Sequence, residues 1–111
     1  MKKKSEIRFV DKKVQKAFEE LEGGKTDEKQ LYKWLVRAFS DLEENCFCGI
    51  QIPSRLIPKK YKAKYQINNL WKYDLPKAWR LLYSIEGGDI IVISIILDWM
   101  NHKDYERLFG Y

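Results

Sequence analysis

An α+β fold is predicted by a change of hydrophobic period along the chain. Up to Leu42 the apolar residues recur every three or four positions, and from Leu70 they alternate or run continuously. Gly23-Gly24 divides the helical part, and Pro53 and Pro58 precede the strand part. The predicted order is a short N-terminal strand, a helical hairpin, a three-stranded antiparallel meander and a short C-terminal helix, with the helices on one face of the sheet. A chain of 111 residues makes a single domain over 1–111, long enough for a core without staples.

"EIRFV" alternates, so Ile7 and Phe9 share one face of the first strand. Asp11 is a helix cap, followed by Val14, Ala17, Phe18 and Leu21 as an apolar stripe. Thr26 reopens the chain with Asp27 and Glu28 in a favourable first turn. Leu31, Trp34, Leu35, Ala38, Phe39 and Leu42 then continue the stripe, and all six read as core. "LWKYD" and "WRLLYSI" alternate, Gly87-Gly88 forms a tight turn, and "IIVISIIL" is apolar on both faces, as expected of a central strand covered on both faces. Asn101 caps a last helix carrying Tyr105, Leu108 and Phe109, with Gly110 as its stop.

No apolar run approaches the ~20 residues that span a bilayer, and no apolar segment follows the basic start "MKKKSEIRF", so neither a membrane nor a signal peptide is expected. Cys46 and Cys48, one residue apart, fit neither a disulfide framework nor a four-ligand zinc site. They read as reduced thiols of a cytoplasmic protein. No metal, cofactor or small-molecule ligand is implied.

The charge is uneven. Residues 53–80 carry eight cations and one acid, a net +7, against +1 before them and −3 after them. Such a concentration attracts polyanions, RNA among them, although a solvated lysine-rich surface has the same composition. Within it, "PKKYKAKY" interleaves Lys59, Lys60, Lys62 and Lys64 with Tyr61 and Tyr65. Lysines can hold phosphates and tyrosines can stack bases; alternatively, the tyrosines anchor an amphipathic turn to the core. Lys77 lies further along the same basic stretch.

The hairpin "NNLWKYDLPKAWRLLYSI" places cations where few belong. With Trp71, Tyr73, Trp79, Leu81 and Tyr83 on one face, a five-residue loop from Asp74 to Ala78 sets Tyr73 opposite Trp79. Lys72 then lies opposite Arg80. Facing like charges destabilise a sheet, so either Asp74 relieves them diagonally or an anion such as phosphate is their partner. Arg80 is the better phosphate clamp because its planar fork binds two oxygens. His102 and Lys103 open the last helix, where free N–H groups favour anions; a lone histidine is nonetheless more often structural than catalytic.

The succession "IRFVDKKVQKAFEEL", a second helix, "LWKYDLPKAWRLLYSI", "IIVISIILDW" and "HKDYERLF" resembles the RelE/ParE superfamily of toxins from bacterial and archaeal toxin–antitoxin pairs. The likeness covers nearly the whole chain. Its most specific parts are Trp79-Arg80-Leu81-Leu82-Tyr83 and the His-Lys-Asp-Tyr element at 102–105. It implies a basic concave sheet surface and an antitoxin partner. For RelE-type members it implies entry into the ribosome and metal-free mRNA cleavage, in which a ribose 2′-hydroxyl attacks the adjacent phosphate. By that resemblance Arg80 stabilises the phosphate and Tyr105 orients the nucleophile or exchanges its proton. His102 and Lys103 fall in the family's variable basic element, and Lys72 is the nearby strand cation. Trp71 and Tyr73 stand where such enzymes commonly carry two basic residues. The catalytic set implied is Arg80, Tyr105, His102 and Lys72, with Lys59, Lys60, Tyr61, Lys62, Lys64, Lys77 and Lys103 contacting RNA. A ParE-type gyrase inhibitor without catalysis and a non-toxic RNA-binding module are the alternatives.

Overall fold

The computed structural model describes residues 2–88 and 90–110. In chain order the elements are β1 (Glu6–Phe9), α1 (Lys12–Glu22), α2 (Thr26–Glu44), β2 (Ile50–Ile52), α3 (Lys59–Tyr65), β3 (Leu70–Asp74), β4 (Arg80–Gly87), β5 (Val92–Met100) and α4 (His102–Phe109). The strands form one mixed sheet in the order β1-β5-β4-β3-β2. β1 runs parallel to β5, and the other pairs are antiparallel. The α+β class holds, and the expected meander is the β3-β4-β5 centre of a wider sheet.

Local chemistry accounts for the helix ends. Asp11 Oδ1 accepts a 2.8 Å hydrogen bond from Val14 N, and Asn101 Oδ1 accepts one of 2.9 Å from Asp104 N. Gly110, at φ 73°, closes α4 in the left-handed region that glycine enters at little cost. Leu31, Leu35, Ala38, Phe39 and Leu42 pack α2 onto Leu81, Tyr83 and Ile96, joined by Phe9, Phe18, Trp71 and Trp99. Full burial of each such aliphatic side chain contributes roughly 1.5–3 kcal/mol.

Four expectations are corrected. The helices do not all lie on one face: α1 and α2 cover one side, while α3 and α4 cover the other through Tyr61, Tyr105, Leu108 and Phe109. The predicted "amphipathic turn" is the helix α3, which begins directly after Pro58. β2 is an added edge strand, three residues long and bounded by Pro53, too short for alternation to register. β4, not β5, is the middle strand, although β5 is interior and covered on both faces as expected; β5 starts only at Val92, leaving Ile90 and Ile91 exposed.

The hairpin register also differs, by two residues. Tyr73 pairs with Leu81 and Asp74 with Arg80, while Lys72 pairs with Leu82. The predicted faces survive a two-residue shift, because side chains alternate with period two. The gain is electrostatic, since opposite charges now face each other where Lys72 and Arg80 would have met. The loop becomes Leu75–Trp79, closed by Leu75 N to Trp79 O at 2.8 Å, with Lys77 and Ala78 both at positive φ. Leu75 joins the core.

Tyr83 ties the sheet to the α2–β2 connection. Its buried hydroxyl donates to Cys46 O at 2.8 Å and accepts from Gly49 N at 3.2 Å. A side chain at Gly49 would meet Lys72 O at 2.5 Å and that same hydroxyl at 2.6 Å. Tyr83→Phe leaves the Cys46 carbonyl and the Gly49 N–H without this partner, so a loss of about 1–3 kcal/mol is expected. Urea unfolding checks this, and an unchanged midpoint would contradict it.

Candidate anion-binding face

The face of the sheet beneath α3 and α4 carries the even-numbered positions of β3 and the first half of β4. Lys72, Asp74, Arg80 and Leu82 are therefore neighbours there. Asp74 Oδ1 lies 2.9 Å from Lys72 Nζ and 3.0 Å from Arg80 Nε. The two cations are mostly covered, at 19% and 18% side-chain exposure, and Asp74 is half exposed. Arg80 Nε is buried without an aligned acceptor, so its attraction to Asp74 is Coulombic and not a directed hydrogen bond. Nη1 donates to Trp79 O at 3.2 Å. The guanidinium carbon sits 5.5 Å from the centroid of the buried Tyr105 ring, within cation–π range.

The resemblance-derived pair Arg80 and Tyr105 thus meets across the sheet–helix junction, with Lys72 joined through Asp74. His102 is more than half exposed at the start of α4, where its Nε2 contacts Glu106 Oε1 one turn on. Lys103 is exposed beside it. Lys77 is elsewhere: it lines a recess with Asp27, Gln30 and Trp34, on the α2 side of the sheet.

α3 displays Lys59, Lys60, Lys62 and Lys64 to solvent and turns Tyr61, 4% exposed, into the core. Lys64 Nζ stands 5.1 Å over the Tyr65 ring. Tyr61 Oη donates to Asp98 Oδ2 at 3.1 Å, and Asp98 Oδ1 accepts from Trp99 N at 2.8 Å. Burial pushes the Asp98 carboxyl above its ordinary range; the Trp99 and Tyr61 hydrogen bonds and the charges of Lys64 and Lys60 pull the other way. Burial, then the charge of Asp98, pushes the Tyr61 hydroxyl up as well.

Beside this pair lies an open cleft of about 650 Å³ between α3 and α4, lined by Lys59, Lys60, Tyr61, Asp98, Asp104 and Arg107 among others. Met100, the strand partner of Arg80, also lines it, so the cleft adjoins the Arg80–Tyr105 contact. Lys64 borders a second recess on the other side of Asp98, with Lys13.

Sequence reasoning passed over Asp98, Asp104 and Arg107 as cleft residues. One signal was available: Asp98 is the single charge between Val92 and Met100, in a strand that is otherwise apolar but for Ser94. Among the described residues no group of three or more His, Cys, Asp or Glu side chains is placed to hold a metal ion. No helix among them is long and apolar enough to cross a membrane.

No protein-family model matches the chain, and no curated protein or solved structure does so either.

Asp98 gives a pH-dependent prediction. Its folded-state pKa is raised, so the folded protein holds the acid proton more tightly than the unfolded chain does. The resulting penalty is absent below the ordinary aspartate value of 3.8 and grows as pH rises through the folded-state value. Asp98→Asn can still accept from Trp99 N and donate to Tyr61 Oη. It is expected to have a higher Tm than the wild type at pH 7, with the gap closing as pH falls below about 4. A lower Tm at pH 7 would mean that the hydrogen bonds to the carboxylate outweigh its desolvation.

Proposed function

We propose that this chain is an RNA-directed toxin of the RelE type, cutting mRNA on the ribosome, with Arg80 and Tyr105 at the cleavage site. The observation that carries the reading is the Arg80–Tyr105 contact. Two residues 25 positions apart, singled out by their local motifs, come together at 5.5 Å on a sheet face flanked by the α3 lysines. Nothing in helix or strand formation requires a guanidinium at that point.

In the proposed reaction the 2′-oxygen of one nucleotide forms a bond to the adjacent phosphorus, and the bond to the 5′-oxygen of the next nucleotide breaks. The products are a 2′,3′-cyclic phosphate and a 5′-hydroxyl. The proton leaves the 2′-hydroxyl and one is delivered to the departing oxygen, in a transition state that gathers negative charge on phosphorus-bound oxygens. Arg80 supplies the fixed positive charge, and Lys72 adds a second through its position on β3. Tyr105 holds the guanidinium plane and contributes its hydroxyl to proton exchange. His102 with Glu106 forms an accessible acid–base pair one turn away, and the α3 lysines hold the flanking phosphates. Asp74 is the obstacle, because it lies against both strand cations and offsets one of their two charges. RNA phosphate must compete with it, which makes the basic face conditional on a bound anion. An antitoxin would act by covering this face.

The same Asp74 favours a second reading, RNA binding without cleavage, in which the paired cations only steady the sheet. The two are separated by an in vitro translation reaction with a defined mRNA, scored by primer extension. Cleavage predicts cuts at the ribosomal A-site codon that fall by about 10²–10³-fold in a folded Arg80→Ala variant. Asp74→Asn, which frees both cations, is expected to keep cutting and to bind RNA more tightly. Equal cutting by wild type and Arg80→Ala would remove Arg80 from the site. Intact mRNA together with RNA binding that weakens steeply with salt supports the non-catalytic reading, since phosphate contacts release counterions.

A further inference from the structure

The α3–α4 cleft has a composition that neither a simple anion nor a simple cation satisfies. Lys59, Lys60 and Arg107 are exposed along its lining, and Asp104, 3.6 Å from Arg107, offsets part of that charge. A free cation would meet the three basic side chains. A bare phosphate held by them would leave the carboxylate of Asp98 unused. That carboxylate is not required for packing, because an amide could occupy the same place between Trp99 N and Tyr61 Oη. An ionisable group buried at a cost, in a cleft lined by basic side chains, calls for a ligand with a phosphate at one end and neutral N–H donors at the other.

We infer that the cleft is a subsite for one unpaired ribonucleotide, Lys59, Lys60 and Arg107 taking its phosphate and Asp98 reading N–H donors on its base. Guanine fits best. Its N1–H and N2–H₂ lie side by side and match the two oxygens of a carboxylate, each of which keeps a lone pair beyond the bonds to Trp99 and Tyr61. The uracil edge presents one N–H between two carbonyl oxygens, which a carboxylate repels. The volume of about 650 Å³ lies within the ~300–1,000 Å³ usual for small-molecule sites and accommodates a nucleotide. The inference rests on the RNA reading above and deepens it: the subsite adjoins Arg80 through Met100, so a strand lying across Arg80 can place a neighbouring base here.

The test measures affinity for a labelled heptauridylate and for the same strand with one central guanosine, by fluorescence anisotropy with the full chain. Wild type is expected to bind the guanosine strand at least about fivefold more tightly, the low end of discrimination by a paired hydrogen-bond contact. Asp98→Asn, with folding checked by its Tm, is expected to erase that preference, and Lys60→Ala to weaken both strands. Competition by guanosine 5′-monophosphate separates the ligand's source: displacement near the RNA dissociation constant indicates a free nucleotide, and a preference that resists it indicates a base within a strand. Equal wild-type affinity for the two strands overturns the subsite while leaving RNA binding in place. A preference retained by Asp98→Asn removes Asp98 from the reading. Binding of neither strand overturns the RNA proposal itself, and the subsite with it.

Discussion

One extra residue in β5 governs how the two sides of this protein differ. Leu82 pairs with Asp98, but the next β4 residue, Tyr83, pairs with Ile96, so Leu97 is inserted as a bulge. In an uninterrupted strand Asp98 would share the face of Ile96 and point at α1 and α2. With the bulge, Leu97 and Asp98 both reach the α3–α4 side, and Trp99 returns to the helical-hairpin side, where its ring lies 6.5 Å from that of Phe18. A one-residue change of register reverses every side chain beyond it. The insertion therefore supplies the α1–α2 core with a tryptophan and gives Tyr61 its carboxylate.

The basic face is held in a restrained state. Asp74 is the one acid among residues 53–80, and it stands where two strand cations converge. Being half exposed, it interacts through solvent as well as directly, so the ion pairs contribute only modestly to stability. The α3 lysines are solvent-exposed, with the charges of Lys60 and Lys64 acting also on Asp98, and they attract anions at long range.

How far the sequence reveals this arrangement depends on the kind of signal involved. Helix limits at Asp11, Asn101 and Gly110 are readable because capping is local chemistry. The faces of Trp71, Tyr73, Leu81 and Tyr83 are readable because alternation survives a shift of two residues. The register itself is not, since Lys77 and Ala78 adopt positive φ without glycine and the loop moves on by one residue. α3 is obscured by lysine at four of its seven positions, leaving Tyr61 and Tyr65 as the apolar trace of a helix. The bulge leaves no mark on either side of it, because an apolar run such as "VISIIL" carries no alternation to interrupt. Arg80 and Tyr105 stand out through their motifs, whereas Asp98 acquires its place only from pairing between β4, β5 and α3.

α3 reconciles the two readings of the lysine–tyrosine segment, because each requires the other. A helix of seven residues is far below the ~12–15 that sustain themselves in water, so it persists here only while docked. Docking depends on Tyr61, Tyr65 and the bond from Tyr61 to Asp98, which is the most directional of its attachments to the sheet. The tyrosines are therefore core residues, and for that reason the lysines are held in a fixed array and not spread over a coil ensemble. A phosphate-binding surface made of flexible side chains gains most from such a backbone, since ordering the main chain in advance lowers the entropy cost of binding. The side chain at 98 then does two things at one place: its hydrogen bond to Tyr61 ties α3 to the sheet, as an amide there would also do, and its carboxylate lines the cleft beside the α3 lysines.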